Sequence, residues 1–321
     1  MEFLQAFAKF APLWEDIPSV DNYPEVRPLL AHYTSISVLE SIVKGRQIWM
    51  SNPLFMNDHE ELAYGIKNGM MVMRDHVTIL EACGSPDRKR LFQNALDGIY
   101  RRLEEENALD CYVLCFCRHE PDDVDGLLSM WRAYGGNGNG AALVIDTAKL
   151  TVRQVPFLIL GKVLYGSHRN RMDWIWTTAS KFAYLLGGMN LPDERLDAAA
   201  AALFERLITF ALFTKHRGFR EENEWRLVYR KEIDLNQVLA PMLDYALGPR
   251  GVQPKLKLAV KPIEGLTDPD ISLEGLTNRI LLGPSTSSPL AQASVKRMLT
   301  KLGAPELANK VWASTIPLRP S

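Results

Sequence analysis

The sequence lacks any apolar run long enough to cross a bilayer. Tracts such as Ala198 to Phe204 fall well short of the roughly 18 to 20 uninterrupted residues that a membrane helix needs. It also lacks an excess of either charge. Lys and Arg number 37 against 38 Asp and Glu, a formal net charge of −1. No overall field is present to gather a polyanion, so recognition of nucleic acid would need a local basic groove. The amphipathic start, Met1 to Trp14, carries Glu2 near its head and has neither the basic nor the apolar region of a signal peptide. This predicts a cytoplasmic protein with no membrane association. There are only four cysteines, with no C-x2-C pair; Cys111, Cys115 and Cys117 are too close together to staple a fold, which agrees with a reducing compartment. No dinucleotide-binding glycine fingerprint follows the early strands, and there is neither an internal repeat nor a low-complexity linker.

What is present is ordinary globular composition: 47% hydrophobic and 23% charged residues in a chain of 321, enough to bury a large core. The patterns predict an α+β protein. Residues 1–28 read as a helix and an irregular lead-in marked by Pro18, Pro24 and Pro28, followed by one α+β domain over 29–321. Short strands are expected at Leu29 to Tyr33, Ile48 to Met50, Cys111 to Cys117, Ala141 to Asp146 and Leu158 to Tyr165, and later at Asn223 to Arg230, Lys255 to Val260, Arg279 to Leu282 and Val311 to Thr315. Ser37 and Glu40 have capping-box spacing for a helix that stops at Gly45, and Asp58 and Asp87 can start two more. A helical insertion is expected at about 168–216, from one helix near Asn170 to Leu186 and another near Asp193 to Lys215. Strands and helices mix without a regular βαβ rhythm.

Several residues carry two readings each. Glu222 and Glu224, two apart on a predicted strand, would project from one face roughly 6 to 7 Å apart. They can orient a substrate and stabilise a developing cation, or form a solvated face that balances Arg217, Arg220, Arg226 and Arg230. His32-Tyr33-Thr34 lies where a strand meets a capped helix, a place where side chains and backbone N–H groups converge on a ligand, although a single packed histidine fits as well. Asn57 and Asp58 can serve a ligand or cap a helix. Trp131 and Tyr134, at i and i+3, form either a core stripe or a stacking platform. Gly135 to Gly140 can turn the chain or cradle a phosphate, but has no P-loop lysine and opens no helix. Cys111, Cys115, Cys117 and His119 read as one face of a buried strand before they read as a metal cluster.

Taken in order, these segments resemble a bacterial family of unknown function. The residues that carry the resemblance are His32-Tyr33-Thr34-Ser35, Trp49-Met50-Ser51-Asn52-Pro53 with Asn57-Asp58, Cys115-Phe116, Ser129-Met130-Trp131 with Tyr134-Gly135, and Phe219 with Glu222-Asn223-Glu224-Trp225-Arg226-Leu227. The likeness spans about residues 30 to 315. That family in turn resembles a distant branch of the ADP-ribosyltransferases, which implies a mixed, split β-sheet cleft with flanking helices and NAD as the substrate. On that resemblance His32, Tyr33 and Thr34 hold the NAD ribose. Glu224 stabilises the oxocarbenium-like cation, and Glu222 completes an E-x-E and orients or deprotonates the acceptor. Trp131 or Tyr134 stacks on nicotinamide, and Asn57 or Lys215 touches ribose or phosphate. No metal is implied. The acceptor, a protein or a nucleic acid, is not named by the residues.

The reading that follows is an NAD-dependent ADP-ribosyltransferase, acting as a bacterial toxin or an anti-phage effector. Two alternatives stand beside it. One is a nuclease-like toxin that turns His32, Lys215 and the glutamate pair on a phosphodiester; the other is a module that senses a nucleotide without turnover.

Overall fold

A computed structural model describes residues 1–16, 22–56, 59–105, 110–150, 155–248 and 251–318. From the N-terminus the regular elements are α1 (Phe3–Ala8), β1 (Leu29–Thr34), α2 (Ile36–Gly45), β2 (Gln47–Ser51), α3 (His59–Arg74), α4 (Val77–Cys83), α5 (Pro86–Glu105) and β3 (Cys111–His119). Then follow α6 (Leu128–Ala133), β4 (Ala141–Asp146), β5 (Leu158–Lys162), β6 (Leu164–Gly166), α7 (His168–Gly187), α8 (Leu196–Phe213), β7 (Thr214–His216) and β8 (Glu224–Arg230). The last are β9 (Leu243–Gly248), β10 (Gly251–Ala259), α9 (Leu273–Leu276), β11 (Thr277–Leu282), α10 (Pro289–Lys301), α11 (Pro305–Ala308) and β12 (Val311–Ala313). The protein is mixed α+β, and none of its described helices is long and apolar enough to cross a membrane.

The chain folds as two compact units. The first gathers Met1–Ser19, Pro53–Cys111 and Val163–Phe219, and is mainly helical. Its central helix, α8, is apolar nearly all round, with thirteen buried positions from Leu196 to Leu212, the pattern of a helix surrounded by others. α3 approaches it closely because Gly65 and Gly69, one turn apart, present no side chain. A Cβ at Gly69 would lie 2.1 Å from Leu207 Cδ1, and one at Gly65 2.8 Å from Ala211 Cβ. The N-terminal segment is clasped by Arg206, whose guanidinium binds Leu13 O at 3.0 Å and both Asp16 carboxylate oxygens at 2.8 Å. The expected insertion at about 168–216 falls in this unit together with α3, α4 and α5.

The second unit, Val20–Asn52, Tyr112–Lys162 and Arg220–Ser321, holds an open, mixed ten-stranded sheet in the order β12-β11-β4-β1-β3-β2-β10-β9, with β8 pairing to both β3 and β5. Among the registered pairs of this sheet, β11 with β12 is parallel and the others are antiparallel. β3 has three partners, β1, β2 and β8. A strand has two edges, so the sheet branches there. Alternation along the strands sorts side chains into two layers. Leu30, Phe116, Leu143, Trp225 and Tyr229 join a large cluster on one face, whereas Ala31, Tyr33, Cys117, Trp131 and Val144 form a smaller cluster on the other.

Local departures from the sequence reading have identifiable causes. α2 is capped by Ser35, whose hydroxyl accepts from Val38 N at 3.2 Å, and not by Ser37. It ends at Arg46 in the left-handed region (φ 50°), one residue after Gly45. The strand expected from Leu158 to Tyr165 is two strands in two sheets, parted at Val163 where the chain leaves one unit for the other. The glycine run is a close-packed turn: Gly138 N and Gly140 N bond to Gly135 O at 3.1 and 2.8 Å, Asn139 N bonds to Gly136 O at 3.2 Å, and a Cβ on Gly140 would lie 2.2 Å from Thr34 O. Those N–H groups are therefore not a phosphate cradle. Asn57 and Asp58 lie outside the described residues.

Candidate functional site

The two carboxylates lie on either side of a break at the start of β8. The regular alternation expected from Glu222 to Glu224 is interrupted because Asn223 adopts φ 42°. Glu222 closes a 3₁₀ turn over Arg217–Glu222, and the strand begins at Glu224. Asn is among the few non-glycine residues that tolerate this conformation. Here the backbone docks on β3, with Asn223 O accepting from Arg118 N at 3.0 Å.

Glu224 is buried, at 3% exposure, and both of its oxygens are taken by one guanidinium: Arg226 Nε lies 2.7 Å from Oε1 and Nη2 lies 3.1 Å from Oε2. The i, i+2 spacing puts the two side chains on one face of β8, opposite Trp225, Leu227 and Tyr229. A forked donor meets a carboxylate there in its preferred geometry. Arg230 repeats the pattern with Glu232. The charged face is thus neither the solvated surface nor the open catalytic surface that the sequence allowed.

Glu222 is the more accessible of the two. It is partly exposed, and its Oε1 accepts from the Tyr134 hydroxyl at 3.2 Å. Tyr134, which follows α6, is itself 38% exposed. Beneath them sits Cys117 on β3, whose thiol is pushed up to about 12 by burial first and then by the negative charges of Glu222, Asp123 and Glu224. That thiol stays protonated and is no nucleophile.

Tyr33 belongs to this layer as a structural member. Its ring meets Trp131 edge-on at 4.8 Å, its hydroxyl accepts from Leu127 N at 2.9 Å, and burial holds its pKa well above the usual phenol range. Trp131 is fully buried, with its indole N–H on Asp125 O at 2.9 Å, so it fills the core and offers no face to a nicotinamide. The approach is tight enough to require Gly126, at φ 73°, where a Cβ would sit 2.7 Å from the Tyr33 hydroxyl. Of the two aromatic candidates, only Tyr134 has an open ring.

His32 and Thr34 alternate with Tyr33 and lie on the opposite face. His32 stands across from Leu143, its ring is 6.1 Å from Phe116, and its Nδ1 contacts Cys115 O at 3.1 Å. Burial lowers its pKa, so the imidazole is neutral near pH 7. Thr34 is buried opposite Ala141. Neither shares a face with Glu224, and the expected grouping of His32 with that carboxylate is corrected by the period-two alternation of β1 and β8. Lys215, on β7 in the first unit, is buried with its ammonium 4.7 Å over the Phe219 ring.

Asp123 and Asp125, which the sequence did not single out, organise the surroundings together with His119. Asp123 Oδ1 accepts from Asp125 N and Gly126 N, shaping the loop that meets Tyr33. Asp125 binds the Thr315 backbone and the hydroxyls of Ser314 and Thr315, which hold its carboxyl below the usual range. His119 is buried, with Nδ1 3.7 Å from Asp123 Oδ2 and no partner at Nε2. Burial lowers its pKa. Among the described residues no three His, Cys, Asp or Glu side chains converge as metal ligands.

A domain described as "Protein of unknown function (DUF2971)" is found at residues 130–227. That span runs from α6 into β8 and includes Trp131, Tyr134, Lys215, Glu222 and Glu224. No curated protein and no solved structure matches the chain.

Proposed function

We propose that the protein transfers ADP-ribose from NAD to an acceptor nucleophile, with Glu222 as the working carboxylate. The observation that carries this reading is the Tyr134–Glu222 hydrogen bond: a partly exposed carboxylate held beside an exposed aromatic ring, next to a second carboxylate fixed by arginine. A group that stabilises an oxocarbenium-like ribose must reach it. Glu222 can do so, and Glu224 cannot without breaking both of its bonds to Arg226.

In this scheme the bond between ribose C1 and the nicotinamide nitrogen breaks, and nicotinamide leaves with the electron pair. The acceptor's lone pair forms the new bond to C1, and its proton passes to Glu222 and then to water. Tyr134 orients Glu222 through its hydroxyl and offers its ring for stacking. Glu224 and Arg226 are positioning residues that fix the start of β8. His32 and Trp131 take no part.

Incubation of the protein with adenylate-labelled NAD and a cell extract tests the scheme by nicotinamide release and label transfer. Glu222→Gln is expected to reduce release at least about 100-fold, as removal of one transition-state electrostatic contact does, with little change in stability. Undiminished release in that variant sinks the proposal.

A second reading is a nucleotide-binding module without turnover. It is favoured by the sequestration of Glu224 and by the placement of His32 on the other face. NAD raising the melting temperature of the native protein with no nicotinamide released selects this reading over the first.

A further inference from the structure

On the face of the sheet opposite Glu222 and Tyr134, within the second unit, lies a cavity of ≈ 100 Å³. One wall is the sheet, including Leu30, Phe116, Leu160 and Leu227. The other is the connection after β10, through Val260, Ile263, Leu266 and Ile271. The polar groups that border it are already engaged. The Tyr23 hydroxyl donates to Leu150 O at 2.7 Å, Thr147 Oγ1 donates to Pro28 O at 2.6 Å, and Thr267 Oγ1 accepts from Ile263 N at 2.8 Å. A molecule inside therefore meets hydrocarbon and finds no hydrogen bond to make. Water is disfavoured for the same reason, since a buried water needs at least two polar partners.

We propose that this cavity binds a small uncharged hydrocarbon group, either a single ring or a short acyl chain. Its size supports the class. An apolar cavity of about 150 Å³ accommodates benzene, and this one is somewhat smaller, which favours four to six carbons over a long chain. Its construction supplies a way in. The wall from Val260 to Ile271 has no regular secondary structure, and most of its backbone bonds are to itself: Leu266 N and Thr267 N both bind Ile263 O at 3.0 Å, and Ile271 N binds Asp268 O. Val260 N on Arg46 O, at 2.8 Å, is the bond that ties it to β2's end of the sheet. The segment can lift with little loss of hydrogen bonding, whereas the sheet wall is fixed by the ladder. Binding here stabilises the folded form by mass action and contributes nothing to a charged ligand.

The test follows the melting temperature of the full chain in benzene, methyl butanoate, methyl octanoate and, as a polar control of similar size, 1,4-butanediol. Benzene and methyl butanoate are expected to raise it by a few degrees, and butanediol not at all. Val260→Phe, which enlarges a side chain that lines the cavity, should remove the response to benzene while the variant stays folded by circular dichroism. A full benzene response in folded Val260→Phe, an equal response to butanediol, or no response to any probe at its solubility limit overturns the proposal. Should Val260→Phe fail to fold, Leu160→Ala decides: the enlarged space should shift preference from methyl butanoate to methyl octanoate, and an unchanged preference overturns the assignment.

Discussion

The two faces of the sheet in the second unit are made by the same strands and solve opposite problems. On β8, Trp225, Leu227 and Tyr229 enter an apolar layer, while Glu224, Arg226 and Arg230 turn the other way and are buried as well. The apolar face is held by area removed from water and has no directional bond to satisfy, so it can include a cavity at the cost of some packing. The charged face has no such latitude. A buried ion pair gains little over apolar residues of the same shape, but removal of one partner leaves an unanswered charge. Its presence is therefore better explained by geometry than by stability, and the geometry it fixes is the start of β8, one residue from Asn223 and two from Glu222.

The largest effect should come from unbalancing the charged face. Arg226→Ala is expected to destabilise the protein by about 3–5 kcal/mol in urea denaturation, because the buried Glu224 loses the guanidinium that meets both of its oxygens. The joint replacement Glu224→Leu with Arg226→Leu should recover most of that loss. If the double variant is as unstable as the single one, the pair is a stability element and the contrast between the faces fails. On the apolar face, Leu160→Ala is expected to cost about 2–5 kcal/mol by the same measurement, the range for truncation of a buried leucine. Tyr33→Phe should cost about 1–2 kcal/mol, because the Leu127 N–H loses its acceptor while the ring contact with Trp131 is kept.

The contrast also explains what the sequence disclosed. β4 was legible because Ala141 to Ile145 is a continuous apolar run after a glycine turn, and all of the strand's residues but Asp146 are buried. α4 was not expected, because Val77 to Cys83 is short and follows α3 after only two residues. The edge strand β9 was hidden by its low β-propensity, with Asp244, Ala246 and Gly248 in six positions. At the site, alternation was the right principle applied across the wrong residue. Asn223 was the available warning, since an Asn between two predicted strand positions can take positive φ and break the alternation. The E-x-R spacing of Glu224 and Arg226 was equally visible, but pairing was not separable from solvation until burial was known. Nothing in the sequence placed His32 and Glu224 on opposite faces, because that depends on which strands pair and in what register.

Protonation offers a finer way to compare the faces, since each carries a buried histidine, His32 on one and His119 on the other. Both have pKa values lowered by burial, so the unfolded chain binds more protons than the folded one between the folded values and about 6.5. Stability is therefore fully present above about pH 6.5 and declines as pH falls through the folded pKa values. A urea series from pH 7.5 to 5.0 should show this decline, and His32→Gln and His119→Gln should each flatten it. A slope that neither variant changes would mean that these imidazoles titrate alike in both states.

The smallest structural effect is expected at Glu222, and the contrast with its neighbour depends on it. Glu222→Gln keeps an oxygen that can accept from the Tyr134 hydroxyl, and a partly exposed side chain gains little from its charge, so the stability change should stay within about 0.5 kcal/mol. Tyr134→Phe, which removes the donor and keeps the ring, should be equally mild. Nicotinamide release should separate the two variants, with the larger loss at Glu222 and a smaller one at Tyr134. If Glu222→Gln destabilises the protein as much as Arg226→Ala, Glu222 is part of the same buried charge network, and the division between a carboxylate that holds the strand and a carboxylate that meets a substrate is gone.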